Sequence, residues 1–312
     1  MSMSSALNPS VVKTALDDVF MQEFNYKGHP GFVDATSSIV FNQETSDRSA
    51  EIQEVFKGVG LFESYAEEAE VPNDQPRITN QKTFSMVTYG KSIDIPKNFF
   101  DDNMHSSYEK MVKDFAMKAR ITQDSNAFAI FRGAFVTTNF TTADGAALVS
   151  DTHTTISGDT VDNKLTAVLS ETSLNSAIVA LYEQKDQAGI VVGSTPSTLL
   201  VPPALFKTAC EIVESELRSG TADNDMNVYS SKYGINVATS NRLGAAAGGS
   251  DTAWFLLGRN HSVTRWVRQG IVTDLVDYKF QRNNNYIYKA NFREIVGAMD
   301  YVGIVGSDGS VA

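Results

Sequence analysis

The chain has 312 residues, of which 42% are hydrophobic and 20% charged, a composition typical of a folded globular protein with one large domain or two. Its net charge of −11 repels a phosphate backbone and argues against a dedicated nucleic-acid binder. A single cysteine, Cys210, excludes an intrachain disulfide and a cysteine-based metal cluster. We find neither a leader pattern nor an apolar run of about 18 residues, so we expect no signal peptide and no membrane contact.

The first predicted elements are a short helix and an extended arm. Asn8 followed by Pro9 is typical of a helix start, with a capping side chain and then a proline whose missing N–H does no harm. Apolar residues at helical spacing continue this helix to about Phe24. Residues 26–48 contain glycine, proline and many Ser, Thr and Asn residues. This composition favours an extended arm over a packed domain.

The next segment has the pattern of a long β-hairpin with a charged tip. Residues 84–95 alternate apolar and polar side chains at the strand period of two. An acidic, proline-bearing stretch before them is interpreted as the tip. An isolated two-stranded ribbon is marginally stable in water, so we expect this hairpin to lean on another subunit. The acidic residues of the tip are Glu67, Glu68, Glu70 and Asp74.

A long helix is predicted after the hairpin. Residues 103–132 contain no Gly or Pro, and Tyr108 and Phe115 belong to a set of apolar residues at helical spacing. A helix of about 30 residues would be about 45 Å long and would form the spine of the fold. Asp101 or Asp102 is the predicted cap. Three basic residues on the polar face are expected to be solvated or to face another subunit: Lys110, Lys113 and Lys118.

The second half of the chain mixes short strands and helices without regular βαβ alternation, which predicts an α+β fold. Its clearest unit is LLVPP at residues 199–203, a strand that ends at two prolines and leads into a helix predicted to close at Gly220. The other predicted elements are a loop with a small hairpin over 141–164, a helix capped by Ser170 or Ser173 and stopped at Gly189, strands at 190–192, 235–239, 253–257 and 286–292, and a mobile loop at 244–249.

Sequence signals for catalysis or metal binding are weak. The four histidines are far apart and have no metal-ligand spacing. Asp151 and His153 lie close together in a polar loop, but a catalytic triad is defined by geometry rather than by adjacency. Cys210 falls on the apolar face of its predicted helix, as a core residue does. We therefore predict a non-enzymatic protein with no catalytic residue, no cofactor-binding or metal site and no cofactor.

Two tryptophans lie close to arginines in the last third of the chain. Trp254 and Trp266 flank Arg259 and Arg265, an arrangement that could stack on a base or a sugar but is common in cores and interfaces alike. Because the chain is strongly acidic, the pattern favours a protein interface over a nucleic-acid site.

Several stretches resemble the major capsid proteins of tailed bacteriophages, which have the Hong Kong 97-type capsid fold. Within this family, the chain most resembles Mu-type major head subunits. The most characteristic piece is LLVPP followed by a helix. The resembling stretches are KTFSMVTYGK at 82–91 with IDI at 93–95 and the aspartates at 101–102, ALVSDTH at 147–153, residues 169–187, STLLVPPAL at 197–205, and NFRE at 291–294 continuing to 305.

The resemblance implies a division of the chain into the parts of that fold. Residues 1–50 would be the N-terminal arm, 51–100 the E-loop hairpin, and 101–189 the P-domain with its spine helix. Residues 190–281 would be the A-domain, and 282–312 would return to the P-domain.

The resemblance also implies a function and partners. Copies of the chain would assemble in the host cytoplasm into pentamers and hexamers of an icosahedral head, and would reside in the virion capsid. Portal, scaffold or decoration proteins would be partners, and packaged double-stranded DNA would be contacted weakly and without sequence specificity. We further expect Glu67, Glu68, Glu70 and Asp74 to face Lys110, Lys113 and Lys118 of an adjacent subunit. The alternatives are an encapsulin-type compartment shell and, from a different class, a hydrolase that uses His153.

Overall fold

The computed structural model describes residues 9–26, 32–74, 77–98, 105–138, 140–215, 227–277 and 285–310. The predicted helix caps Asn8, Asp101 and Asp102 lie outside the described residues. The helices are α1 (Pro9–Phe24), α2 (His105–Arg132), α3 (Glu171–Tyr182) and α4 (Phe206–Val213). The strands are β1 (Asn42–Thr45), β2 (Ala50–Lys57), β3 (Arg77–Ser85), β4 (Val87–Pro96), β5 (His153–Thr154), β6 (Thr160–Val161), β7 (Lys164–Leu165), β8 (Pro196–Val201), β9 (Asn236–Thr239), β10 (Trp254–Gly258), β11 (Val263–Val276), β12 (Asn285–Ala298) and β13 (Ile304–Ser307).

The two helices of the first half pack against each other, and both were predicted from the sequence. Leu16 and Phe20 of α1 are fully buried against α2 and the strand β12. The Asp17 carboxylate accepts hydrogen bonds from the hydroxyls of Thr273 at 2.7 Å and Tyr288 at 2.8 Å, which tie α1 to the sheet. Helix α2 has 28 residues, which corresponds to about 42 Å. The predicted spine helix is therefore confirmed.

A four-stranded sheet in the order β1-β11-β12-β4 lies beside these helices. Strand β1 pairs with β11 in parallel, whereas β11, β12 and β4 pair antiparallel. The second strand of the predicted hairpin is thus divided into β3 and β4. Strand β3 pairs with β2, whereas β4 pairs over ten residues with β12. Strand β11 was not predicted. Register shifts between Val267, Gln269 and Val272 break the apolar–polar alternation that would have revealed it.

A five-stranded sheet in the order β7-β13-β10-β8-β9 forms the second half of the molecule. The run LLVPP was correctly predicted as a strand, and its apolar residues alternate between two cores. Leu200 packs in the core that contains the end of α2, whereas Leu199 and Val201 pack beneath α3 and α4. Because both faces of the sheet are buried, its central strand β10 is buried at every residue and contains no polar side chain.

The arm is more deeply packed than its polar composition predicts. Val40 and Phe41 are fully buried, and Phe41 packs edge-on against Phe128 of α2 with ring centroids 5.1 Å apart. The arm then continues as β1 along the four-stranded sheet. It is extended, as predicted, but it also contributes to the central core.

Three predicted elements between residues 170 and 220 need correction. The Ser170 cap of α3 is confirmed, with its hydroxyl accepting from the Ser173 amide at 3.2 Å. However, α3 ends at Tyr182 and not near Gly189, because residues 183–194 form hydrogen-bonded turns. Residues 190–192 are not a strand; only one isolated bridge, Lys185 to Val191, occurs there. Helix α4 ends at Val213, before the predicted stop at residue 220, which lies outside the described residues.

Two loop predictions have different outcomes. The small hairpin predicted over 141–164 is confirmed, since β5 pairs antiparallel with β6. The stretch 244–249, predicted to be a mobile loop, contains a 3-10 turn at Ala245–Ala247. The amide of Gly249 donates to the Gly244 carbonyl at 3.1 Å, and a Cβ at Gly249 would lie 1.9 Å from the Leu243 carbonyl oxygen. Backbone hydrogen bonding and close approach therefore define this turn.

Candidate assembly surfaces

The hairpin of β2 and β3, with the described part of its tip at residues 58–74, carries the most exposed apolar surface of the described chain. Eight of the 23 exposed large apolar side chains lie between residues 50 and 78, including Leu61 at 75% and Phe62 at 103% exposure. Among the described strands, β2 and β3 pair only with each other, so both edges of the ribbon are open there. An apolar patch of this kind normally marks a protein interaction site.

The acidic residues of the tip differ in what they contact. Glu67, Glu68 and Glu70 are exposed and form no ion pair with any described residue. Asp74 instead accepts the Gly60 amide at 2.6 Å and helps to close the tip. Glu68 has a φ of +66°, in the left-handed region that residues other than glycine seldom adopt.

The spine lysines are exposed, but the tip does not meet them within one subunit. Lys110 and Lys113 form no ion pair with a described residue, and Lys118 pairs with Asp114 on its own helix at 3.6 Å. No described ion pair joins the hairpin tip to α2. An ion pair between the acidic tip and the spine lysines would therefore have to join two copies of the chain.

The base of the hairpin is fixed to the body of the subunit by aromatic packing. Phe84 stacks on Trp266 with ring centroids 4.9 Å apart and lies directly over Gly297, where a Cβ would come within 2.2 Å of the ring. Lys82 donates to the Thr141 hydroxyl at 3.2 Å, and burial lowers the pKa of this lysine. These contacts set the direction in which the hairpin leaves the subunit.

His153 is a fully buried core residue, and no described nucleophilic side chain hydrogen-bonds its Nε2. Its side chain is fully buried and stacks on Tyr301 with centroids 4.4 Å apart. Its Nδ1 lies 2.8 Å from Asp144, and not against the Asp151 that adjacency suggested. Burial alone would raise the pKa of Asp144, but hydrogen bonds from His153 and Thr142 lower it to about 2. The arrangement stabilises the loop between α2 and β5.

Replacing Asp144 with asparagine is expected to cost about 2 kcal/mol of unfolding free energy at pH 7, the equivalent of its lowered pKa. Because the folded pKa lies below the ordinary value of 3.8, this stabilisation is present above about pH 4 and is lost as the pH falls towards 2. Urea unfolding at pH 7 and at pH 3 should therefore show the difference from the wild type shrinking in acid.

The matched control for this variant is Asp151→Asn, since Asp151 is exposed and has no described hydrogen bond. It should change stability by less than about 0.5 kcal/mol. Equal effects of the two variants at pH 7 would show that the contact between Asp144 and His153 has been misassigned.

The other candidates from the sequence are also structural. Burial raises the pKa of the Cys210 thiol to about 11, the opposite of what a nucleophilic cysteine needs. Trp254, Trp266 and Arg265 are at most 5% exposed, so these three residues belong to the core and not to an interface. Of the four residues, only Arg259 is exposed. The described residues contain no cluster of three or more metal-ligating side chains, and none of the described helices is both long and apolar enough to span a bilayer.

Comparison with solved structures identifies the architecture. The chain is similar to a virus-like particle protein from Pyrococcus furiosus (TM-score 0.53, 11% identity, 94% of this chain and 98% of that chain). It is also similar to structures of Microbacterium phage Oxtober96 (TM-score 0.55, 11% identity, 91% and 93%) and of the cyanophage P-SCSP1u capsid (TM-score 0.55, 12% identity, 92% and 93%). At these identities the likeness concerns the fold, which is the Hong Kong 97-type capsid fold.

The family follows from the sequence itself. A family model described as phage capsid protein matches residues 79–307, and the chain therefore belongs to the phage capsid protein family. It is a major capsid protein, which self-associates in the lattice of the virion capsid. No curated protein matches the chain. The resemblance seen in the sequence is confirmed at the level of family and fold.

Proposed function

We propose that copies of this chain form pentamers and hexamers, which close into an icosahedral phage head around double-stranded DNA. The observation that carries this proposal is the hairpin, whose exposed apolar residues and open edges have no partner strand within the described chain. Repeated in every subunit, such a surface supplies the many modest contacts that shell closure requires. We assign the chain no catalytic role.

The same proposal includes its partners and its place of assembly. The shell would assemble in the host cytoplasm, and portal, scaffold or decoration proteins would join it. Contacts to the packaged DNA would be weak and nonspecific, because the net charge of −11 opposes phosphate binding. The kinship to Mu-type head subunits stays a prediction from the sequence motifs.

An encapsulin-type compartment shell is the second candidate, because the fold shared with the Pyrococcus furiosus virus-like particle does not specify what a shell encloses. The two functions differ in what the shell encloses. Particles purified from the native source after nuclease treatment should contain protected double-stranded DNA if the chain builds a phage head. Particles that hold a cargo protein and no protected DNA would support the compartment instead.

The tip of the hairpin is proposed to dock on the spine helix of an adjacent subunit. Glu67, Glu68 and Glu70 would face Lys110, Lys113 and Lys118 of that neighbour, and Asp74 would contribute charge while it holds Gly60. Exposed ion pairs are worth only about 0.2–1 kcal/mol each, so they would set register and rate more than affinity. Apolar contacts of Leu61 and Phe62 would supply most of the binding free energy.

Reversing both charges in Glu67→Lys with Glu68→Lys is expected to lower particle yield several-fold at an ionic strength of about 0.05 M, because like charges would then meet. The difference from the wild type should shrink at about 1 M salt, where screening shortens the Debye length to about 3 Å. Yield is measured by sedimentation of assembled particles.

The matched control reverses two exposed acids away from the hairpin, Asp151→Lys with Glu211→Lys, and changes the net charge equally. Adding Lys110→Glu and Lys113→Glu to the tip variant should restore yield if these groups are the partners. Particle yield that the tip reversal leaves unchanged at every salt concentration would show that the acidic run is only a solvated tip.

A further inference from the structure

A second exposed apolar surface lies at the end of α3, on the side of the five-stranded sheet away from β9. We name it the apolar knob, and it consists of Val179, Tyr182, Val191 and Val192. Their exposed fractions are between 42% and 59%. The knob adjoins the β13 side of the sheet, as the contacts of the neighbouring residue Lys185 show. The Lys185 carbonyl accepts a hydrogen bond from the Tyr301 hydroxyl, and the Lys185 ammonium pairs with Asp159.

The turn that carries the knob is held firmly in this exposed position. The amide of Val192 donates to the Gln184 carbonyl, and that of Ser194 to the Leu181 carbonyl, both at 3.0 Å. The Asp186 carboxylate accepts two further amides of the turn at 2.9 Å. Gly193 has a φ of +56°, and a Cβ there would lie 2.7 Å from the Tyr182 carbonyl oxygen. A rigid turn that keeps apolar side chains in water is preorganised for binding.

An open cleft of about 880 Å³ lies at the opposite edge of the sheet, between the arm, α2 and β9. We name it the arm cleft. Phe32 and Ile39 contribute apolar surface, with exposed fractions of 37% and 46%. Its size suits a turn that carries several apolar side chains.

The charges in the arm cleft are mostly satisfied within the subunit. Arg120 pairs with Asp34 at 3.1 Å, and Asp124 accepts the Ala35 amide at 2.8 Å. Arg242 forms no ion pair with a described residue, although the cleft also contains Glu214. Of the two arginines that line the cleft, Arg242 is therefore the one without an ion pair to a described residue, although it acts electrostatically on Asp124.

We infer that the apolar knob of one copy docks in the arm cleft of a second copy. The two surfaces are different parts of the subunit, so the contact is head to tail, and its repetition builds a ring where the rotation between neighbours closes. Glu183, exposed beside Tyr182 and without a described ion pair, meets Arg242 of the neighbour. The inference rests on the proposed function, because it specifies one of the contacts within a capsomer.

The sharpest test is a charge swap across this contact. Glu183→Arg alone and Arg242→Glu alone should each raise the protein concentration needed for assembly at least about threefold, and the double variant should bring it back towards the wild-type value. Asp151→Arg, an exposed reversal elsewhere, should have no effect. Assembly is followed by light scattering against concentration.

Tyr182→Ala provides a test that does not depend on charge. Because Tyr182 is exposed in the subunit, the variant should unfold at the wild-type temperature, yet it should raise the assembly concentration about tenfold or more if the ring is buried in the contact. If the wild type assembles and Tyr182→Ala assembles at the same concentration, or if the double charge variant assembles no better than the single variants, the knob contact is overturned while the proposed function stands. A wild-type protein that never assembles would instead contradict the proposed function.

Discussion

Replacing Glu294 with alanine is expected to destabilise the subunit by about 3–5 kcal/mol, because the change leaves a buried guanidinium without its counter-ion. Arg265 and Glu294 are only 5% and 2% exposed. Nε of Arg265 donates to Glu294 at 2.9 Å, and Gln123 of α2 donates to the same carboxylate at 3.3 Å. Nη1 of Arg265 donates to Gln43 of the arm at 2.9 Å. One ion pair therefore joins the arm, the spine helix and the sheet.

Burial raises the pKa of Glu294 even though Arg265 lowers it, so the pair does not fully compensate for its own desolvation. Replacing both residues, as Arg265→Met with Glu294→Leu, should consequently recover much of the stability that Glu294→Ala loses. Urea unfolding of the single and double variants measures this difference. A loss below about 1 kcal/mol for Glu294→Ala would contradict the described burial of the pair.

The second large effect is expected from Gly297→Ala at the base of the hairpin. A Cβ there would lie 2.2 Å from Cε1 of Phe84, whose ring is already packed against Trp266. Overpacking of this kind costs about 1–3 kcal/mol and shifts the groups involved. Because Phe84 is in the hairpin, the shift changes the hairpin's direction, and we expect particle yield to fall more than subunit stability does.

Two further variants test the cause of that effect. Phe84→Leu in the Gly297→Ala background should relieve the clash and recover both stability and yield. Gly270→Ala in β11 is the matched control, since a Cβ at Gly270 meets no atom within 4 Å. Thermal unfolding and electron micrographs of assembled material provide the two readouts. Equal losses for Gly270→Ala and Gly297→Ala would exclude the contact with Phe84 as the cause.

Local patterns predicted the elements whose signals are contained in a short stretch of chain. The spine helix α2 followed from a stretch without Gly or Pro, and α3 followed from apolar spacing with a cap at Ser170. The strand β8 followed from an apolar run that ends at prolines. In each case, residues close together in the sequence identified either the buried face of the element or the position where it begins or ends.

Features that depend on distant pairing were not predicted. Strand β11 carries bulges that disturb its alternation, so the sequence shows no strand period there. His153 pairs with Asp144 and not with the nearer Asp151 because the loop folds back. Arg265 and Trp266 resemble surface interface residues in sequence, yet Glu294 and Phe84 bury them. A single sequence does not reveal such partners because they are far apart along the chain.

The candidate assembly surfaces were predicted in part. The acidic tip and the spine lysines were identified by their charge, and their pairing between subunits stays a prediction. The apolar knob was missed because Val191 and Val192 have the composition of a buried strand. Only the turn around Gly193 places them on the surface.

The central claim is that this chain builds a shell from copies of itself. The measurement that tests it most directly is the size distribution of the purified full-length protein by light scattering, with negative-stain images of any large fraction. We expect rings of five or six subunits, tubes or closed shells. A protein that stays monomeric or dimeric at every salt concentration and under crowding, with no rings in the images, would contradict the account.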